Sequence, residues 1–159
     1  MRTLLRDIFI GGAGGRSGLA DAGLLLLRVF AGLALAFGHG LAKFKDPSGI
    51  IKGAESMGFP APTFFGWMAA FSEFVGGLLL ALGLLTRPAS FLIACTMATA
   101  GFIRHADDPF GRKELAYFYL AVAVAFMLAG AGRFSLDALL RGLTSRARPR
   151  TEAPGFPVN

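Results

Sequence analysis

The sequence predicts an all-α integral membrane protein: a four-helix bundle followed by a short amphipathic helix lying on the membrane surface. Three observations predict it. Four long apolar runs follow one another along a chain of 159 residues. The chain is 54% hydrophobic and only 16% charged, with a mean hydropathy of +0.58, where a soluble domain has about 45–50% apolar and about 25% charged residues. The few ionisable residues inside the runs fall on faces of small residues, the faces along which helices approach closely in lipid.

Residues 1–18 read as an N-terminal arm. Arg6 and Asp7 interrupt the cluster Leu4-Leu5 and Ile8-Phe9-Ile10, so it lacks the unbroken apolar core of a cleaved signal peptide. The transmembrane domain is expected over residues 19–143. Its first run extends from Ala22 to about Gly40, with Asp21 as the expected helix cap and Gly38-His39-Gly40 at its end. The second runs from Thr63 to Leu85, after the loop closed by Pro60 and Pro62, with Glu73 as its only charge. Thr86-Arg87-Pro88 makes a tight turn into the third run, Ala89 to Ile103, since proline suits a first helical turn. Asp107-Asp108-Pro109 breaks the chain before the fourth, Leu115 to Ala131. A membrane span needs roughly 17–25 residues, which the third run reaches only with its flanks. Beyond Gly130-Ala131-Gly132, Leu136, Leu139, Leu140 and Leu143 recur at helical spacing behind Ser135 as N-cap, the pattern of an interfacial helix. Residues 144–159, rich in Arg and Pro, read as a disordered basic tail.

The net charge of +6 and a pI near 10.3 do not indicate nucleic acid, because no basic face is present. The cations lie between the apolar runs. Four spans place both termini on one side with nine of them (Arg2, Arg6, Arg16, Arg87, Arg133, Arg141, Arg146, Arg148 and Arg150). The other side holds six: Lys43, Lys45, Lys52, Arg104, Arg112 and Lys113. The positive-inside rule then puts both termini in the cytoplasm and turns loops 41–62 and 104–113 outward. The single cysteine, Cys95, excludes an internal disulfide, a redox pair and a cysteine-built zinc site, and reads as a packing residue.

Ionisable groups in hydrocarbon cost a few kcal/mol and normally face the protein interior. At 100° per residue, Arg28, Gly32 and His39 fall within roughly 40° of one another, and Lys43 lies about 60° from Arg28. Glu73 shares a face with Gly66, Ala69, Gly76 and Gly77, His105 with Gly101, Ala98 and Ala94, and Glu114 with Tyr117, Ala121 and Ala125. Two polar groupings are expected. The deeper is an intramembrane ion pair, Arg28 with Glu73, as a lock on the bundle or as a functional pair. The outer is a ligand site of His39, Lys43, His105, Glu114 and Tyr117, near Asp107 and Asp108. Its histidines can equally be an interfacial residue satisfied by water and a member of a solvated loop. No metal site is expected, since His39 and His105 lack the spacing of known metal motifs. No haem or flavin motif is visible, and no catalytic residue is assigned. Phe59, Phe64, Phe65 and Trp67 read as an interfacial aromatic belt.

Several of these segments together resemble the DoxX family of small bacterial four-helix membrane proteins. They are Leu27-Arg28-Val29 with Gly32, Gly38-His39-Gly40 with Lys43-Phe44, the stretch Ser72-Glu73-Phe74-Val75-Gly76-Gly77 through Thr86-Arg87, Lys113-Glu114-Leu115, and Gly130-Ala131-Gly132-Arg133-Phe134-Ser135-Leu136-Asp137. The resemblance spans roughly residues 21–140, and Arg28, Glu73 and Glu114 match its polar signature positions. It implies a multi-pass protein of the bacterial cytoplasmic (inner) membrane. It further implies a subunit of a quinone-linked oxidoreductase or an oxidative-stress system, with quinone as cofactor and a soluble redox enzyme as partner. The residues leave two other classes open: a transporter or binding protein for a small molecule, and a structural membrane anchor for a soluble enzyme. A homo-oligomer is compatible with each.

Overall fold

In the computed structural model, residues 18–146 are described, and every regular element among them is helical. The N-terminal arm and most of the basic tail expected from sequence lie outside the described residues.

The first long helix runs without a break through α1 (Gly18–Leu35), a π turn (Ala36–Gly40) and α2 (Leu41–Lys45). Asp46 and Pro47 end it, and Asp46 Oδ1 accepts the Ser48 N–H at 3.0 Å to start α3 (Ser48–Ser56). α3 lies inside what the sequence presents as a loop. Its signal is present in Ile50, Ile51, Ala54 and Met57, an apolar stripe at helical spacing that packs on α4 (Pro62–Phe71). Gly66 lets α3 come close, since a Cβ there would strike Ile51. The second long helix continues through a π turn (Ser72–Gly76) into α5 (Gly77–Leu82). The third is α6 (Thr86–Thr99) with a π turn (Ala100–Arg104), and it begins at Thr86 rather than Ala89. The fourth is α7 (Phe110–Ala129), and α8 (Leu136–Arg146) closes the described chain.

Two of the long helices, Ala20–Lys45 and Pro62–Leu82, are long and apolar enough to cross a membrane. They pack through glycines. A Cβ on Gly32 would meet the Gly77 carbonyl and Ala81, and one on Gly40 would meet the backbone of Phe74. Gly32 thus faces Ala81, Ala36 faces Gly77, and Gly40 faces Glu73 and Phe74. Each step of four residues up one helix is a step of four down the other. The third and fourth helices pair along their length through Ile93, Ala94, Met97, Tyr119, Val122, Ala123 and Phe126. Outside this core the surface is apolar, with Leu26, Phe30, Phe91, Phe102 and Leu128 all exposed.

α8 follows its sequence signal. Ser135 Oγ accepts the Ala138 N–H at 3.1 Å as N-cap, and Leu136, Leu139, Leu140 and Leu143 are exposed along one stripe. Asp21 does not cap α1. It is buried three residues inside that helix, and its Oδ1 accepts the Arg133 N–H at 3.1 Å. Tertiary structure instead uses the carboxylate to tie down the C-terminal loop.

Candidate functional site

The polar interior is divided between the two ends of the bundle, and the division overturns one expected pairing. Arg28 and Glu73 do not meet. The helix register sets Arg28 against Gly83, ten residues and so about 15 Å from Glu73 along the axis at ~1.5 Å per residue. Arg28 is 2% exposed, and its guanidinium donates to the carbonyls of Ala131 at 3.3 Å and Phe134 at 2.6 Å. The Asp137 carboxylate, also at this end, accepts the Leu85 and Thr86 N–H groups at 2.9 and 3.0 Å. It thereby holds Leu85 at φ 48°, a left-handed conformation that is costly for a side chain with a Cβ. Asp21, Arg28 and Asp137 therefore form a structural knot that ties the second turn to the C-terminal loop. None of these contacts has a local sequence signal, because each partner is a backbone group distant in the chain.

Glu73 takes Lys43 instead. The Lys43 ammonium lies 2.6 Å from both Glu73 oxygens, with the carboxylate 3% and the lysine 37% exposed. Around this pair the chain changes its helical pitch three times. The π turns at Ala36–Gly40, Ser72–Gly76 and Ala100–Arg104 carry His39, carry Glu73 and precede His105, respectively. A π turn inserts a residue, re-aims the side chains around it, and recurs at functional sites. The three converge on a cavity of about 170 Å³ lined by His39, Lys43, Glu73, His105, Arg112 and Tyr119. The His39 and Tyr119 rings meet edge to face with centroids 5.9 Å apart. The His39 ring makes no hydrogen bond to another described residue, which leaves its nitrogens free to serve an occupant.

The outer wall reaches solvent through His105, whose Nδ1 is 2.6 Å from Asp108 Oδ2, while Arg112 Nη1 is 3.6 Å from Oδ1. The hydrogen bond with His105, reinforced by the charge of Arg112, holds the Asp108 carboxyl below its usual range. A second, larger cleft of about 930 Å³ shares Lys43, Glu73, Ala100 and His105 with the small cavity. It opens between α3, α4 and α6, and Phe59, Phe64 and Phe65 of the expected aromatic belt line it. Cys95 also lines this cleft and is exposed to it, not packed in the core.

Of the five residues expected at the outer site, the structure brings together His39, Lys43 and His105. Glu114 is exposed and does not line the cavity. The Tyr117 hydroxyl donates to the Gly101 carbonyl at 3.2 Å, and its ring packs on Gly101 and beside Phe102. The error lies in the facing of the fourth helix. Ala121 and Ala125, which share the Glu114 stripe, are exposed, and the inward face carries Tyr119, Val122, Ala123 and Phe126. Alanines occur on both sides of this helix, so small residues do not mark its inner face. Glu73, Tyr119 and Arg112 are the polar cavity residues that sequence reasoning did not assign to the outer site. Among the described residues no group of three metal-ligating side chains forms.

Comparison with known proteins gives this geometry a family context. The model of the DoxX family matches residues 23–106, which contain His39, Lys43, Glu73, His105 and all three π turns. A Bacillus subtilis (strain 168) protein named "Putative oxidoreductase CatD" is 36% identical over 118 residues, covering 74% of this chain and 86% of the relative. An uncharacterized protein of Haemophilus influenzae is 36% identical over 107 residues, covering 62% of this chain and 77% of the relative. No solved structure matches the chain.

Proposed function

The chain belongs to the DoxX family, and from that premise we propose that it is the membrane component of a quinone-linked oxidoreductase. In this reading the four long helices cross the bacterial cytoplasmic membrane with both termini inside, and α8 lies on the inner surface. The apolar exterior, the exposed leucine stripe of α8 and the two helices of spanning length support the membrane setting.

The observation that carries the functional reading is the convergence of three π turns on one small cavity lined by proton-bearing groups. Its volume, about 170 Å³, compares with the roughly 150 Å³ cavity that accepts benzene, so a single quinone ring fits. A quinone supplies a two-electron, two-proton acceptor, with electrons delivered by a soluble redox partner. His39 and Tyr119 offer hydrogen bonds to a carbonyl oxygen. Lys43 and Glu73 place a charge pair beside that oxygen. His105, joined to Asp108 at the outer rim, leads protons from solvent to the cavity. A histidine suits this work because one ring nitrogen can accept a proton while the other donates one.

The test is extraction and spectroscopy of the full chain purified in detergent. Co-purified quinone that bleaches on reduction, and saturable rebinding after extraction, are the expected results. A chain that carries no quinone and rebinds none refutes the reading. Cysteines placed at residues 48, 109 and 148 in a Cys95→Ala background test the orientation: an impermeant reagent outside should reach the first two and not the third.

A further inference from the structure

The cleft of about 930 Å³ between α3, α4 and α6 lies at the upper end of the roughly 300–1,000 Å³ typical of small-molecule sites. Its charges do not balance. The charged side chains that line it are Lys43, Asp46, Glu73 and Arg104, together with His105. All but one are matched inside the protein. Lys43 pairs with Glu73, and His105 with Asp108. Asp46 accepts the Ser48 N–H in the field of Lys52. The Arg104 side chain makes no hydrogen bond or ion pair with another described residue. It sits at the end of the third π turn, exposed, with its Nε 3.8 Å from where a Cβ on Gly53 of α3 would lie. The rim of the cleft thus carries one uncompensated cation.

Below that rim the cleft asks for nothing polar. The hydroxyls of its deep wall are already paired: Ser72 Oγ and Thr96 Oγ1 are 2.6 Å apart, and Thr99 Oγ1 donates to the Cys95 carbonyl at 3.0 Å. Ile50, Phe65, Met68 and Leu92 supply apolar surface. From Arg104 down to Leu92 on the third helix, this slot runs about 18 Å at ~1.5 Å per residue. We propose that the cleft binds a long-chain carboxylate, with its head on Arg104 and its single acyl chain in the slot below. The planar, two-pronged guanidinium matches a carboxylate, and one cation over one slot matches one head on one chain. A diacyl lipid would leave its second chain unhoused. Lipid chains are as apolar as the slot, so a chain leaving the bilayer has little hydrophobic gain, and the contact at Arg104 decides which amphiphile is held. This site is separate from the small cavity, whatever that cavity holds.

The full chain in phosphatidylcholine nanodiscs is irradiated with a long-chain fatty acid carrying a diazirine near its chain end, and separately with the alcohol of the same chain at equal mole fraction. The acid should give adducts at Met68, Leu92 or Cys95, which unlabelled fatty acid displaces, and the alcohol about tenfold fewer. Arg104→Gln, at an exposed position, should lower labelling by the acid about tenfold with circular dichroism unchanged. Tenfold is the lower end for a charge-assisted hydrogen bond, as suits an exposed arginine. Phosphatidylglycerol added to the nanodiscs should leave the adducts in place. Equal labelling of the parent chain by acid and alcohol overturns the proposal without recourse to a variant, and so does parental labelling of Arg104→Gln. Adducts of the acid confined to the outer faces, at Leu26 or Leu128, overturn the site. Displacement by phosphatidylglycerol assigns the cleft to a diacyl lipid and overturns the carboxylate.

Discussion

The partners of Glu73 and Arg28 can be separated by one set of substitutions whose costs follow from burial. Breaking a buried ion pair by removing one partner costs about 3–5 kcal/mol, because the other charge is left without compensation. The Lys43–Glu73 pair is unequal: the carboxylate is 3% exposed and the lysine 37%. Lys43→Met strands a carboxylate in the interior and should cost about 3–4 kcal/mol. Glu73→Leu leaves an ammonium that is more than one-third exposed and can turn to solvent, where screening weakens its penalty, so about 1–2 kcal/mol is expected. The double variant should be more stable than Lys43→Met alone, with a coupling of about 0.5–3 kcal/mol, the range found for residues in direct contact. Arg28→Met should cost about 1–3 kcal/mol, because it orphans the buried Ala131 carbonyl and the partly buried Phe134 carbonyl. Combined with Glu73→Leu it should be additive within about 0.5 kcal/mol, since the two sites share no partner. Reversible unfolding in mixed micelles, followed by circular dichroism, measures each corner of both cycles. Strong coupling between Arg28 and Glu73, or additivity between Lys43 and Glu73, would refute the register on which the site is built.

Other expectations follow from single contacts. Asp137→Asn loses one of the two acceptors that hold the Leu85 and Thr86 N–H groups and should destabilise by about 1.5–3 kcal/mol. Leu85→Gly should recover about 0.5–1 kcal/mol by relieving the left-handed backbone, and both are read in the same unfolding assay. Gly40→Ala drives a Cβ into the Phe74 backbone and should cost at least about 1–3 kcal/mol while weakening quinone binding, because it separates two of the π turns. Asp108 sits below its ordinary value because of His105. Its contact therefore favours the folded loop above the usual carboxylate range, and that contribution is lost as pH falls through the lower folded value. The amide protection factors of residues 104–108, referred to intrinsic exchange at each pH, should fall on acidification through that window, and Asp108→Asn should remove the dependence.

The sequence carried the broad architecture because apolar runs and breaker residues are local signals. Proline pairs, Gly130-Ala131-Gly132 and Ser135 mark real boundaries, and the glycine faces of the first two long helices do meet. The site was legible only in part, for two physical reasons. A regular 100° wheel has no place for an inserted residue, and three π turns lie at the level of the cavity. Depth was judged from helix ends, whereas the first long helix continues through its glycines to Lys45, which brings Lys43 rather than Arg28 to Glu73. On the fourth helix the failure was different. Alanine packs well against a neighbouring helix and is also tolerated facing outward, so Ala121 and Ala125 drew Glu114 and Tyr117 inward on paper while Tyr119 took the inner face. The ties made by Asp21, Arg28 and Asp137 run to backbone groups, which leave no trace in residue types.

The central claim is that the cavity at the three π turns binds a quinone ring through His39 and Tyr119, and its most direct test is a titration of the full chain in nanodiscs with a tailless quinone. His39→Ala and Tyr119→Phe should each weaken binding by about tenfold, the loss of roughly one hydrogen bond to a buried ligand, with folding unchanged by circular dichroism, while Glu114→Gln, on the exposed face, should bind as the parent does. Parental affinity in both His39→Ala and Tyr119→Phe, with both variants folded, would contradict the account.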